Sequence, residues 1–251
     1  MKAFNFFLIV LLSGLIAACS GKPEGAEAEV SEAQEVAEVS DDAVSYAINT
    51  GSSTVGWIGY KPAGKHNGTI PISEGSLAVR DGKIEGGTIV MNVADIQNED
   101  LAGDEESQGK LLGHLKSEDF FDAANYPEAT FEITSVEPFD ASVEIVEKEE
   151  FETDFTPASN TEYMVDQPTH TITGNLTMRG TTLAVSFPAK VSMADNTISA
   201  SAKFNIDRTN WGLSYGDEAS VADKAKDKFI YNTVNVSLDI NASTDNTVAS
   251  M

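Results

Sequence analysis

Apolar and polar residues alternate with period two over most of the chain between residues 44 and 242, the signature of half-buried strands. Val44, Tyr46 and Ile48 open the pattern, then Val55, Trp57 and Gly59, then Leu77 and Val79, then an extended run from Ile84 to Val93. Further on come Phe131 and Ile133, the alternating stretch Ile172 to Met178, Leu183 to Met193, Ile198 to Ile206, and finally Ile230 with Val234 to Ile240. Asp81-Gly82, Arg179-Gly180 and Asp195-Asn196 fall between successive runs, where a two-residue hairpin turn is needed. The order predicts an all-β domain of eight or nine strands in an antiparallel meander. A closed barrel is favoured over a sandwich, because closure removes the exposed edges of such a sheet.

One stretch breaks the alternation. Asp104, Glu105 and Glu106 precede Gln108 to Leu115, placing negative charge where a helix N-terminus favours it, and Ser117 is positioned to cap a short turn through Phe121. One or two short helices are therefore expected beside the strands. The segment 137–162 is dense in Glu and Asp without the spacing and glycine of a calcium loop, and it reads as a long, solvated hairpin extension.

The start of the chain has a different character. Lys2, the apolar run Phe4 to Ile16 and the small Ala17 and Ala18 make a secretory signal over 1–18, and that run is too short to span a bilayer. Ile16-Ala17-Ala18-Cys19 resembles the lipobox of bacterial lipoproteins, which implies lipidation of Cys19 and a place in the bacterial cell envelope. Ser20 after it favours the outer membrane by the rule of that family. Residues 19–43, acidic and poor in core formers, read as a disordered tether, and 243–251 as a flexible tail. Cys19 is the only cysteine, so a lipidated chain has neither a disulfide nor a thiol nucleophile. The net charge of −24 at pH 7 argues against nucleic acid as a partner.

No nucleophile elbow, phosphate loop or paired histidine motif is present, so the sequence offers no catalytic apparatus. His66, His114 and His170 are far apart, and a metal site would need three segments to converge. His66 and His114 are candidate polar contacts at a pocket mouth. With Trp57, Phe131, Phe187 and Phe204 facing inward, an eight-stranded barrel either packs shut or holds one small apolar ligand.

Several ordered motifs then resemble one family. Ser52 to Trp57 is similar to its opening strand, and Gly75-Ser76-Leu77 with Gly86 to Ile89 to its next pair. His114 to Asp122, leading through Tyr126-Pro127 to Phe131, and Thr173 to Thr182 are the most specific pieces; Asp207 to Gly212 resembles its arginine-containing turn. These are features of the YceI-like, lipocalin-like polyisoprenoid-binding proteins, over residues 44–242. The resemblance implies an extended eight-stranded antiparallel barrel around a long isoprenoid or related amphiphilic lipid, with no catalysis, no other cofactor and no metal. It points to Trp57, Phe131, Ile133, Leu176, Phe187 and Phe204 as ligand contacts. Arg208 and Trp211 have two readings each: a cation for a pyrophosphate and an aromatic cover, or a salt bridge and a barrel plug. A homodimer stays open. The competing functions are an envelope scaffold or stress protein with a packed barrel, and a metal accessory protein using His66 and His114.

Overall fold

The computed structural model describes residues 29–244 except 37, 144, 146, 195 and 224–227. Cys19, the signal segment and most of the C-terminal tail lie outside the described residues, as does Asp195 of the third turn. The two other turns have the backbone their sequences require. Asp81 and Gly82 take φ of 50° and 73°, Arg179 and Gly180 of 49° and 75°, the twist that joins antiparallel strands over two residues.

Eight strands form the ring. They are β3 (Thr54–Lys61), β4 (Gly64–Arg80), β5 (Lys83–Asn92), β7 (Glu128–Pro138), β8 (His170–Met178), β9 (Thr181–Ala194), β10 (Thr197–Asp207) and β11 (Thr233–Ser243). Each pairs antiparallel with the next, and β11 closes the circle on β3, with Val236 opposite Trp57. The short β2 (Val44–Ile48) continues the line of β3 between β4 and β11. A two-residue β6 (Gln97–Asn98) lies on β4. Helix α1 (Glu105–Lys116) starts at Asp104, whose carboxylate accepts from the Ser107 amide, and covers one end of the barrel.

The wall has one seam. The ladder between β9 and β10 ends at Ala189 opposite Ala202. The preceding residue of β9 is Pro188, which has no N–H to give and a ring that crowds a neighbour, so β10 leaves β9 there. Two backbone edges are thereby exposed, and both are covered. Strand β1 (Glu29–Glu32) pairs with Leu183 to Ser186 on β9. On β10, the Asn205 amide donates to Asn160 Oδ1 at 3.0 Å and its side chain donates to the Ala158 carbonyl.

Both covers correct the sequence reading. Residues 29–36 are not disordered tether: beyond β1, Gln34 and Asn175 exchange two hydrogen bonds of 2.8 and 2.7 Å, and the chain crosses β5, where the Ser40 amide meets Glu85. The acidic segment is not a solvated hairpin either. It folds back over β10 and β11, with Lys148 between Glu150 and Glu218 at 3.2 Å each, Thr153 against the Tyr231 hydroxyl, and a second short helix α2 (Asn160–Tyr163) entered through a capping box at Ser159.

The Asn175 exchange has a measurable consequence. Asn175→Ala removes two hydrogen bonds at a buried position, worth about 1–2 kcal/mol together, and should release the N-terminal segment from the barrel without unfolding it. Amide exchange at residues 30–35 is expected to quicken about tenfold while that of β11 stays unchanged. Unaltered protection would mean that strand pairing alone holds the segment.

Candidate functional site

Inward-facing residues fill the two halves of the barrel differently. Ile133, Ile172, Ile198, Ala202, Ile240 and Leu77 pack one half solid. In the other half the inward side chains stand around a cavity of about 220 Å³. A single water needs only about 10–15 Å³ on that kind of measure, so the barrel is not packed shut. Its wall is aliphatic and aromatic: Ile89 and Met91 from β5, Phe131 from β7, Leu176 and Met178 from β8, Val236 and Leu238 from β11. Phe187 and Phe204 face each other across the seam, their rings stacked at 4.1 Å and 5°, and Phe131 lies 5.6 Å from Phe187. Side-chain packing thus holds β9 to β10 where backbone bonding has stopped.

The hollow end is closed by α1 and by the loop before it. Leu111, His114 and Leu115 of α1 reach the cavity with Phe120 and Phe121 from the following turn. The loop is pressed onto β4 at Gly68, where a Cβ would fall 1.9 Å from the Gln97 carbonyl oxygen; only glycine allows that approach. Here His66 Nδ1 meets Asp100 at 2.8 Å. Burial alone would raise the Asp100 carboxyl, but hydrogen bonds from the Asn67 amide, His66 and Asn98 outweigh it and hold it below its usual range. His114 Nε2 lies 3.2 Å from Asp119, and its ring sits edge-on to Phe120 and to Tyr215 at 5.0 and 4.5 Å.

Comparison with known proteins agrees with this geometry. The YceI-like domain matches residues 46–242. The chain belongs to the YceI-like family. Among solved structures, BcnA of Burkholderia cenocepacia is 16% identical with a TM-score of 0.53, over 78% of this chain and 99% of that one. A polyisoprenoid-binding domain from Saccharophagus degradans, implicated in plant cell wall breakdown, is 13% identical with a TM-score of 0.52, over 80% of this chain and 98% of that one. These likenesses carry the fold. No curated protein matches.

Within the YceI-like barrel, the residues singled out in the sequence sort cleanly. Trp57, Phe131, Leu176, Phe187, Phe204, Arg208, His66 and His114 all line the cavity. Ile133 does not: it is 4% exposed and belongs to the packed half, beyond Phe131 on the same face of β7. Trp211 does not either. It is 1% exposed, and its Nε1 donates to the Leu176 carbonyl at 3.0 Å, so it is a plug and not a cover. His170 pairs with Thr169 at 2.8 Å, away from the cavity.

Arg208 fits neither of its readings. Its guanidinium is buried and donates to four carbonyls, those of Tyr231 at 3.1 Å, Tyr215 at 3.1 Å, Ile230 at 3.0 Å and Leu213. Burial lowers its pKa from the ordinary arginine value, opposed by Asp207, Asp217 and Glu218. It is a clamp on the 208–231 loop, and those bonds occupy most of the donors a pyrophosphate would need.

Lys61 was missed. It lines the cavity from the end of β3, an exposed residue beyond the alternating run Val55 to Gly59. The lining from α1 was hidden too, since Leu111 and Leu115 read as a helix face without saying what that face covers. Among the described residues, no three His, Cys, Asp or Glu side chains stand close enough to share a metal ion.

Proposed function

We propose that this protein is a lipid-anchored envelope protein which binds a long-chain isoprenoid or related amphiphilic lipid in the hollow half of its barrel and performs no reaction on it. The observation that carries the reading is the cavity, walled by apolar side chains in a YceI-like barrel. The Saccharophagus degradans relative, described as a polyisoprenoid-binding domain, lends support. Each five-carbon unit entering such a cavity gains roughly 3–4 kcal/mol before the costs of ordering, so a chain of a few units binds firmly.

Acylation of Cys19 would place the protein at a membrane, with the outer membrane favoured. Cys19 lies ten positions before Glu29, where the chain joins β9. An extended stretch of that length spans at most roughly 35 Å, so the β9 wall would be held close to the lipid surface. The acidic surface disfavours nucleic acid as a partner, and a homodimer is compatible with this arrangement.

The test is mass spectrometry of an organic extract from the exported protein with Cys19→Ala, purified in soluble form. A stoichiometric isoprenoid, quinone or fatty amide is expected. An empty extract after export in the native host would sink the reading and leave an envelope scaffold. In parallel, the unsubstituted protein should partition with membranes and the Cys19→Ala form should not.

A further inference from the structure

We infer that the seam between β9 and β10 is the portal through which the lipid chain enters and leaves the barrel, with β1 as its removable cover. The inference rests on the lipid-binding reading above and adds a route to it.

The first observation is where the barrel wall lacks backbone bonds. Around the hollow half, β5, β7, β8 and β9 are laddered each to the next, and so are β10, β11, β3 and β4. Where β4 and β5 part, β6 and its loop fill the space. That leaves the stretch of β10 from Lys203 to Asp207, roughly 16 Å of strand, with no ladder to β9. Val185 and Phe187 on one side of it and Phe204 and Ile206 on the other all line the cavity, so the seam opens straight onto it. Across it the wall holds by the stack of Phe187 on Phe204. A hydrocarbon chain passing between these rings exchanges one apolar contact for another, whereas parting any laddered pair breaks backbone hydrogen bonds.

The second observation is how lightly the seam is covered. β1 lies along β9 over four residue pairs, from Glu29 opposite Ser186 to Glu32 opposite Leu183. Val30 packs against the core, while Ser31 and Glu32 are exposed. Residues 33–36, which follow, are exposed as well, and Gln34 ties them to Asn175 and Thr134. A short edge strand that buries so little apolar surface opens far more readily than the ladders behind it. The end of the barrel is tied more firmly. There Arg179 donates at 2.7 Å to the carbonyls of both Glu118 and Gly212, and Gln108 donates at 2.8 Å to that of Asn98.

The third observation is direction. Among the described strands β1 is the nearest in sequence to Cys19, so in a chain anchored there the seam lies next to the bilayer from which a lipid comes. Sideways transfer through the seam then spares the apolar chain a passage through water.

The experiment locks the cover. Cys19→Ala leaves no cysteine in the chain. Ser31 stands directly opposite Ala184, and such partners have Cα atoms roughly 4.5–5.5 Å apart, within the span of a disulfide. The exported Cys19→Ala protein carrying Ser31→Cys/Ala184→Cys is loaded with geranylgeraniol, and release to excess phosphatidylcholine vesicles is followed by tryptophan fluorescence. Oxidation is expected to slow release and uptake alike by at least about tenfold with affinity unchanged, and reduction to restore both rates. Thr69→Cys/Gln97→Cys, a pair that faces across β4 and β6, fixes the loop at the end of the barrel and should leave the rates alone when oxidised. Asn175→Ala, which frees the segment behind β1, should release the lipid about threefold faster. Equal rates in oxidised and reduced Ser31→Cys/Ala184→Cys, or equal slowing by the lock at the barrel end, overturns the portal and leaves the lipid-binding reading in place. So does an unchanged release rate in Asn175→Ala once amide exchange at residues 30–35 has quickened. Failure of geranylgeraniol to bind the Cys19→Ala protein overturns both.

Discussion

Arg208→Met is expected to lower the stability of the barrel by about 4 kcal/mol, the largest loss from any single substitution considered for this fold. Four buried or half-buried carbonyls lose their donor together, and each unsatisfied acceptor costs about 1–3 kcal/mol, less than additively. The carbonyls belong to Leu213, Tyr215, Ile230 and Tyr231, so the turn after β10 and the approach to β11 come loose together. Urea denaturation followed by tryptophan fluorescence reads the loss. Arg208→Lys should recover less than half, since a single ammonium cannot reach four acceptors set around a planar fork. A loss below about 1 kcal/mol in Arg208→Met would show that the loop holds itself.

The largest functional effect is expected at Phe187. It is 2% exposed and stacks on Phe204 across the seam. In Phe187→Glu a carboxylate replaces the ring in an apolar cavity, and the variant should lose lipid retention altogether, with affinity down at least about a hundredfold. Stability should fall by about 3 kcal/mol from the missing ring. Phe187→Leu separates the two effects: it keeps the wall apolar, loses the stack, and should retain most of the lipid while melting a few degrees earlier. Stoichiometric lipid in the extract of folded Phe187→Glu would mean that the chain lies elsewhere.

Alternation and turn chemistry carried the architecture because both are local. Period two names the face of each strand, and Asp81-Gly82 and Arg179-Gly180 name the joints, so eight strands and their order were legible. So was α1, from the charges at its start. The seam was not. A proline inside the alternating run of β9 is a visible sign that pairing fails on one side, but which segments cover the opened edges depends on contacts between distant residues, 141 positions apart for Gln34 with Asn175 and 45 for Asn160 with Asn205. Composition misled in both places. Acidic, alanine-rich sequence looks solvated, yet β1 needs only backbone groups to join β9, and Asn160 needs only an amide to cap β10. For the site, alternation gave inward residues correctly but carried no depth, so it could not separate Phe131 on the cavity from Ile133 in the packed half. The four-carbonyl clamp of Arg208 is equally invisible from the chain alone, since carbonyls have no sequence signature.

The closure of β11 on β3 also bears on how the protein reaches its fold. It joins Trp57 to Val236, nearly the whole length of the domain, while the other pairings of the ring join neighbours in sequence or strands one insertion apart. Loop-closure entropy makes that pairing the slowest to nucleate. An emerging chain can assemble hairpins from β3 through β10 and still have no ring, no enclosed cavity and no partner for the outer edge of β3. The cavity therefore comes into being in one late event, after the last strand is free, which leaves the chain open and threadable for as long as its C-terminus is still being delivered.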